Sequence, residues 1–173
     1  MDANGSNQTQ LTTTPRFEYF PAWSPDGTTI AYTQGVLHPH GNITLEIFTM
    51  DAGGGGEIRL TLNRHDDYKP NWSPDGKKLV FTRDRGNQML FERSAEIWMM
   101  NADGKRQVRL TKNKVEDSEA VFSPDGTRIA FTTARKGKLS IYVVKADGSA
   151  KQRLTKPAEN YNPDWGVAAP PAS

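Results

Sequence analysis

Short apolar runs alternate with turn-forming clusters along this chain, and the alternation repeats. Thr29-Ile30-Ala31-Tyr32, Lys78-Leu79-Val80-Phe81 and Arg128-Ile129-Ala130-Phe131 each follow the tetrapeptide Ser-Pro-Asp-Gly, which stands at 24–27, 73–76 and 123–126. An aromatic residue precedes each tetrapeptide: Trp23, Trp72 and Phe122. A second apolar run follows, at Ile47-Phe48-Thr49-Met50, Ile97-Trp98-Met99-Met100 and Ile141-Tyr142-Val143-Val144. Each unit then closes on a Gly-containing turn and Arg-Leu-Thr, at 59–61, 109–111 and 153–155. No segment sustains a 3.6-residue apolar period, which excludes a helical solenoid.

Each unit therefore predicts four short strands, A to D, rich in β-branched and aromatic residues and bounded by Gly, Pro and Asp. Ser-Pro-Asp-Gly predicts a tight A–B hairpin. Pro presets φ, Asp bonds the backbone beyond it and Gly takes the positive φ. Four antiparallel strands repeated every 40–50 residues, to order of magnitude, is the pattern of a β-propeller blade. The fold class expected is all-β, with three complete four-stranded blades at about 17–61, 67–111 and 117–155. A lone outer strand is expected at 7–12 and a lone inner strand at 160–165, with a frayed tail at 167–173.

These residues resemble the TolB-type propeller repeat, whose hallmark is Pro-x-Trp-Ser-Pro-Asp-Gly followed by Ile-Ala-Phe, Ile-Tyr and Leu-Thr. The resemblance runs from about Asp2 to Trp165, with Phe122 in place of Trp and Ala120 in place of Pro. It implies blades in a closed ring, a protein-binding role and a periplasmic or extracellular setting. Similar repeats form the propeller of prolyl-oligopeptidase-like peptidases. With three blades and stray strands at the ends, either two chains associate into a homodimer that completes a six-bladed ring, or the array continues in a longer propeller.

Composition narrows this picture without redirecting it. The 173 residues carry 22 Lys and Arg against 20 Asp and Glu, interleaved without a basic patch, which argues against nucleic acid. No apolar run approaches the roughly 18–20 residues of a membrane span. Cysteine is absent, which removes disulfides, thiolate zinc sites and a thiol nucleophile. The opening Met1-Asp2-Ala3-Asn4-Gly5-Ser6 has neither the basic nor the apolar stretch of a secretory signal.

The intervals between equivalent residues locate the variation. A to B is seven residues in every unit and C to D thirteen, whereas B to C is seventeen, eighteen and twelve. Insertions on one face of a repeat array mark its binding side. The first inserted loop, 34–44, carries His38 and His40, and the second, 83–95, carries Arg83, Arg85, Met89, Phe91 and Arg93. Arg, Phe and Met are enriched at interfaces, so these residues are the expected partner-binding set. The alternative is that the apolar ones cover a neighbouring blade or extend strands B and C. His38-Pro39-His40 falls short of a metal ligand set, having no carboxylate or thiolate beside it.

Five residues before each strand-A aromatic stand Glu18, Asp67, Asp117 and Asn160. They are expected either as a polar rim at the channel mouth, attracting a basic group or calcium, or as caps of their own turns. Arg59, Arg109 and Arg153 recur on strand D, where positive charge discourages edge-to-edge pairing. No Gly-x-Ser-x-Gly elbow occurs, and the three His show no evident Ser and acid arrangement. The function expected is a non-catalytic scaffold that binds a protein or small ligand and needs no cofactor. The alternatives are a peptidase propeller module without its catalytic domain and a purely structural assembly unit.

Overall fold

The computed structural model describes residues 4–85 and 94–166, which hold strands, turns and loops only. The first blade is β1 (Glu18–Trp23), β2 (Thr29–Leu37), β3 (Ile43–Asp51) and β4 (Ile58–Arg59). The second is β5 (Asp66–Trp72), β6 (Lys78–Asp84), β7 (Ala95–Asn101) and β8 (Val108–Arg109). The third is β9 (Glu116–Phe122), β10 (Arg128–Arg135), β11 (Lys138–Lys145) and β12 (Gln152–Arg153). Each blade is an antiparallel meander in chain order. The inner strands β1, β5 and β9 touch in succession while β4, β8 and β12 do not, so the blades fan out in an arc with their first strands inside.

The period-2 alternation of each strand feeds two interfaces at once. Leu79 and Phe81 point back to pack with Ala31 and Ile47 of the first blade. Val80, between them, points forward with Ile97 and Met99 to meet Phe122, Ile129, Phe131 and Val144 of the third. A one-residue slip in β6 would reverse both sets, so the register is strongly specified.

The turns form as their residues dictate. Ser73 Oγ donates to Asp75 Oδ1 at 2.6 Å, Asp75 Oδ1 accepts the Lys77 amide at 3.1 Å, and Gly76 turns at φ 68°. The same bonds recur at Asp26 and Asp125. Hydroxyl and amide donors hold all three carboxyls below their ordinary range, Asp125 to about 2.

Arg-Leu-Thr has a different division of labour. The threonine hydroxyl of Thr61, Thr111 and Thr155 accepts the strand-C amide of Ile47, Ile97 and Ile141, completing the edge that the two-residue strand D leaves open. The leucine backbone lies against the next blade's C–D turn. A Cβ on Gly104 would sit 2.7 Å from the Leu60 carbonyl oxygen, and one on Gly148 3.3 Å from that of Leu110. Arg109 does not stand as a free edge charge: it donates to the buried Glu96 carboxylate and to the Thr111 carbonyl.

Neither flanking segment forms the lone strand expected of it. Residues 7–12 and 160–165 lie outside the named strands. A strand needs a partner ladder, and among the described residues none is offered to either segment. Each nevertheless keeps its side chain in the repeat's place. The Leu11 carbonyl oxygen lies 2.8 Å from where a Cβ of Gly54 would be, as Leu60 does at Gly104. The Trp165 indole donates to the Val121 carbonyl at 3.3 Å, as Trp72 does to Ala22 at 3.1 Å.

Candidate functional site

The acidic position on the inner strand does not form a solvent-facing rim. Asp67 and Asp117 are fully buried. Asp67 takes a bidentate pair from Arg83, at 2.6 and 2.7 Å, and a 2.7 Å bond from the Asn63 side-chain Nδ2. Arg83, expected on the inserted loop, lies on β6 and is itself buried, stacked 4.5 Å from the Trp98 ring and bonded to Gln107. In the third blade Thr133 takes the place of Arg83, and the cation comes from the strand-D side instead. Lys151 reaches Asp117 at 3.1 Å and lies over the Phe131 and Tyr142 rings. The second and third blades each hold a cation between two aromatic rings against a buried carboxylate and draw it from different segments.

Among the described residues no such cation meets Glu18 in the first blade. Glu18 accepts from Gln34 and Thr14, and Arg16 donates to the side-chain Oε1 of Gln34 at 3.1 Å. Tyr32 donates to Glu57 at 2.6 Å, and burial with that carboxylate raises its pKa. Asn160 donates to the Lys156 carbonyl, capping its own turn. Among the described residues no group of three His, Asp or Glu gathers to hold a metal ion.

Glu46, one step before Ile47, is also fully buried. It accepts from Thr61, the Asn63 amide and Thr44, and burial pushes its pKa up, with Asp67 adding to the rise. A carboxyl raised on folding contributes its stabilising share below the unfolded-state pKa and loses it as pH climbs through the folded-state value. Glu46→Gln is therefore expected to flatten the decline of Tm above the ordinary carboxylate range. Thermal melts across pH read this at about 2–4 °C per kcal/mol, and parallel profiles for the two proteins would refute it.

A position that spacing did not single out is repeated with unusual geometry. Phe20, Lys69, Glu119 and Asn162, each three residues before the strand-A aromatic, have φ of 53°, 54°, 61° and 50°. Each of the three within a strand coincides with a bulge in the A–B ladder. Their side chains meet from blade to blade. Lys69 lies 5.2 Å from the Phe20 ring and 2.6 Å from Glu119, which also accepts the Asn162 amide at 2.8 Å. Hydrogen bonds from Lys69, Thr132 and Asn162 hold the Glu119 carboxyl below its ordinary pKa against the cost of burial. Phe20 continues into an aromatic row with Tyr19, Phe17 and Tyr68.

The inserted loops resolve differently. In the first blade most of the insertion becomes strand, since β2 and β3 pair from Thr29–Asp51 out to Leu37–Ile43. His38 is half-buried and shares a 2.7 Å hydrogen bond with Thr44, while His40 is exposed at the tip. Arg85 is exposed; Met89, Phe91 and Arg93 lie outside the described residues. His65, near Arg85 and Arg83, has its pKa lowered by burial and by those cations. The third blade has no insertion and turns in two residues, Lys136 and Gly137, both at positive φ.

Residues 89–169 match the family model described as TolB beta propeller domain. Over those residues the chain is similar to the TolB type of blade. A TolB from Acinetobacter baumannii superposes with a TM-score of 0.71 at 28% identity, covering 90% of this chain and 36% of its own. A protein from Agrobacterium tumefaciens assigned as a TolB superposes at 0.66 and 23% identity, covering 90% of this chain and 56% of its own. The chain thus spans little more than half of one TolB relative and about a third of the other. The β-propeller domain of the Trilobed protease from Pyrococcus furiosus, described as having an open velcro topology, superposes at 0.59 and 15% identity over 80% of this chain and 43% of its own. At that identity the likeness is one of fold. No curated protein matches the sequence.

The departures from the TolB-type repeat have visible consequences. Phe122 has no indole N–H to reach the second blade's inner strand, and the Asn71 side chain instead accepts the Phe122 amide at 3.2 Å. A pocket of about 200 Å³ lies beside it, lined by Pro74, Lys78, Phe122 and Ala146 among others.

Proposed function

We propose that this chain is a non-catalytic TolB-type propeller scaffold that binds a protein partner across the face bearing its B–C and D–A loops and the adjoining inner edge. The observation that carries this reading is the inner row of Phe20, Lys69, Glu119 and Asn162. One backbone conformation, costly for a residue with a side chain, is kept at four equivalent places while the side chain changes from aromatic to cation, anion and amide. Residues held in sparsely populated backbone regions cluster at sites that contact ligands. Exposed His40 and Arg85 extend the surface, with Met89, Phe91 and Arg93 proposed to complete it. Arg83 and His38 support the loops from beneath. One protein the scaffold binds is a second copy of itself, giving a homodimer with a completed ring.

A photo-crosslinking residue at Phe20 or Arg85 is expected to capture a protein partner from extracts of the source organism. The same residue at Lys77, on the Ser-Pro-Asp-Gly face, is expected to capture none. Equal capture at all three positions would overturn the assignment of the face. The second reading, a propeller module serving a peptidase, draws on the likeness to the Pyrococcus protease propeller. Turnover of ester or peptide substrates by the isolated chain would contradict the non-catalytic assignment.

A further inference from the structure

The fold sorts charges that the sequence interleaves. The D–A and B–C turns lie at one end of the meandering strands, and the A–B and C–D turns at the other. At the first end Arg64, Arg85, Lys112, Lys114, Arg135 and Lys136 are all exposed. Among the described residues none of them makes an ion pair. The acids of this end are turned inward. Asp67 and Asp117 are buried against Arg83 and Lys151, while Asp66 accepts the Leu45 amide at 2.9 Å and Asp84 the Ser94 amide at 3.3 Å. Among the described residues of these turns a single carboxylate, Glu159, is exposed. The opposite end is mixed: Asp75, Asp103 and Asp125 stand exposed among Lys77, Lys105 and Arg128, and Lys105 pairs with Asp103 at 3.2 Å.

Strand register gathers these cations. Asp66 opposite Asp84 sets the Arg64 turn beside Arg85, and Glu116 opposite Ala134 sets Lys114 near Arg135. His65, half-buried there, has its pKa lowered first by burial and then by Arg85 and Arg83. Arg64, Arg85, Lys112 and Lys114 belong to the second blade or to its two joints, where a neighbour stands on each side. The face lies across the strand ends, so a blade added at either side of the array would sit beside it and not over it. We propose that this basic loop face binds an acidic surface of a protein partner. This rests on the reading of the chain as a protein-binding scaffold and supplies the partner's chemistry. Complementary charge of this kind speeds encounter and rejects basic competitors. Two observations favour a protein over a linear polyanion. Leu62 is 68% exposed among the cations, and a phosphate or sulfate chain would leave that aliphatic surface in water. Among their described residues the turns also offer no aromatic ring on which a base could stack.

The test is fluorescence anisotropy of the full chain with a dye-labelled synthetic peptide of Asp, Glu and Leu, beside an oligothymidylate of equal charge. Circular dichroism checks the folding of each variant. Lys112→Glu with Lys114→Glu is expected to weaken peptide binding about tenfold or more near 0.15 M salt, where the screening length is about 8 Å. Lys105→Glu with Arg106→Glu makes the same change in net charge on the opposite face and is expected to shift the Kd less than about twofold. Leu62→Ser is expected to weaken the peptide and leave the oligothymidylate unchanged. Equal weakening by the two double variants would overturn the assignment to this face. Tighter binding of the oligothymidylate than of the peptide, or no binding of the peptide, would overturn the acidic protein as its occupant. The crosslinking residue at Arg85, placed in the wild type and in the Lys112→Glu, Lys114→Glu variant, separates this proposal from the wider reading. Capture that survives the charge reversal would count against the acidic partner alone. Absence of capture in both would remove the loop face, and this proposal with it.

Discussion

Asp67→Ala is expected to lower the unfolding free energy by about 3–5 kcal/mol, the loss typical of removing one member of a buried ion pair. The Asp67 carboxylate is inaccessible and the Arg83 side chain nearly so. Truncating the acid leaves the guanidinium among Phe81, Trp98 and Gln107 with neither water nor a counter-charge. Asn63 loses an acceptor in the same step. Most of the expected loss is the stranded charge and not the attraction of the pair, so Asp67→Asn with Arg83→Met should recover much of it. Urea denaturation of the single and double variants measures both, and a single-variant loss below about 1 kcal/mol would show that water reaches Arg83. Asp117→Ala makes an internal comparison. Its cation, Lys151, is 31% exposed and turns to solvent, so the expected loss is about 1–2 kcal/mol, from the bonds of Asn113 and Thr133.

Gly104→Ala is expected to be the second large effect, at roughly 2–4 kcal/mol. Two causes add. The residue sits at φ 80°, where a Cβ is disfavoured in any surroundings, and that Cβ would lie 2.7 Å from the Leu60 carbonyl oxygen. The obstacle is backbone of the preceding blade, which cannot swing aside as a side chain tip would. Relief requires the first and second blades to part, and their shared core with them. Gly27→Ala separates the causes, since Gly27 has φ 71° and open space around it. Its expected loss is the conformational part alone, about 1–2 kcal/mol. Equal losses for the two variants in thermal or urea unfolding would show that the blades yield at this contact.

The local code of this protein is legible because it is short-ranged. Ser-Pro-Asp-Gly makes its turn from four residues and the two that follow, and alternation along β6 divides Leu79 and Phe81 from Val80 without reference to anything distant. Blade number, strand order and the apolar core therefore follow from the chain alone. The site does not, since spacing places a residue along a strand and says nothing of what crosses over it. Asp67 and Asp117 occupy one repeat position, yet their burial depends on a cation from strand B in one blade and from the strand-D side in the other. Arg83 has the composition of an interface residue and the position of a core one. The insertion before Thr44 becomes ladder because β2 and β3 keep pairing beyond the length the other blades use. The inner row carries no compositional signal, its four residue types being unrelated; only the shared positive φ marks it. The ends were decided at the same level. Leu11 and Trp165 belong to segments without a strand partner, and the packing of neighbouring blades assigns each to the seat it fills. Sequence determined which strands and turns this chain makes, because those choices are settled within a few residues. Tertiary structure decided which charges are buried and which faces remain open, because both depend on what a neighbouring blade brings.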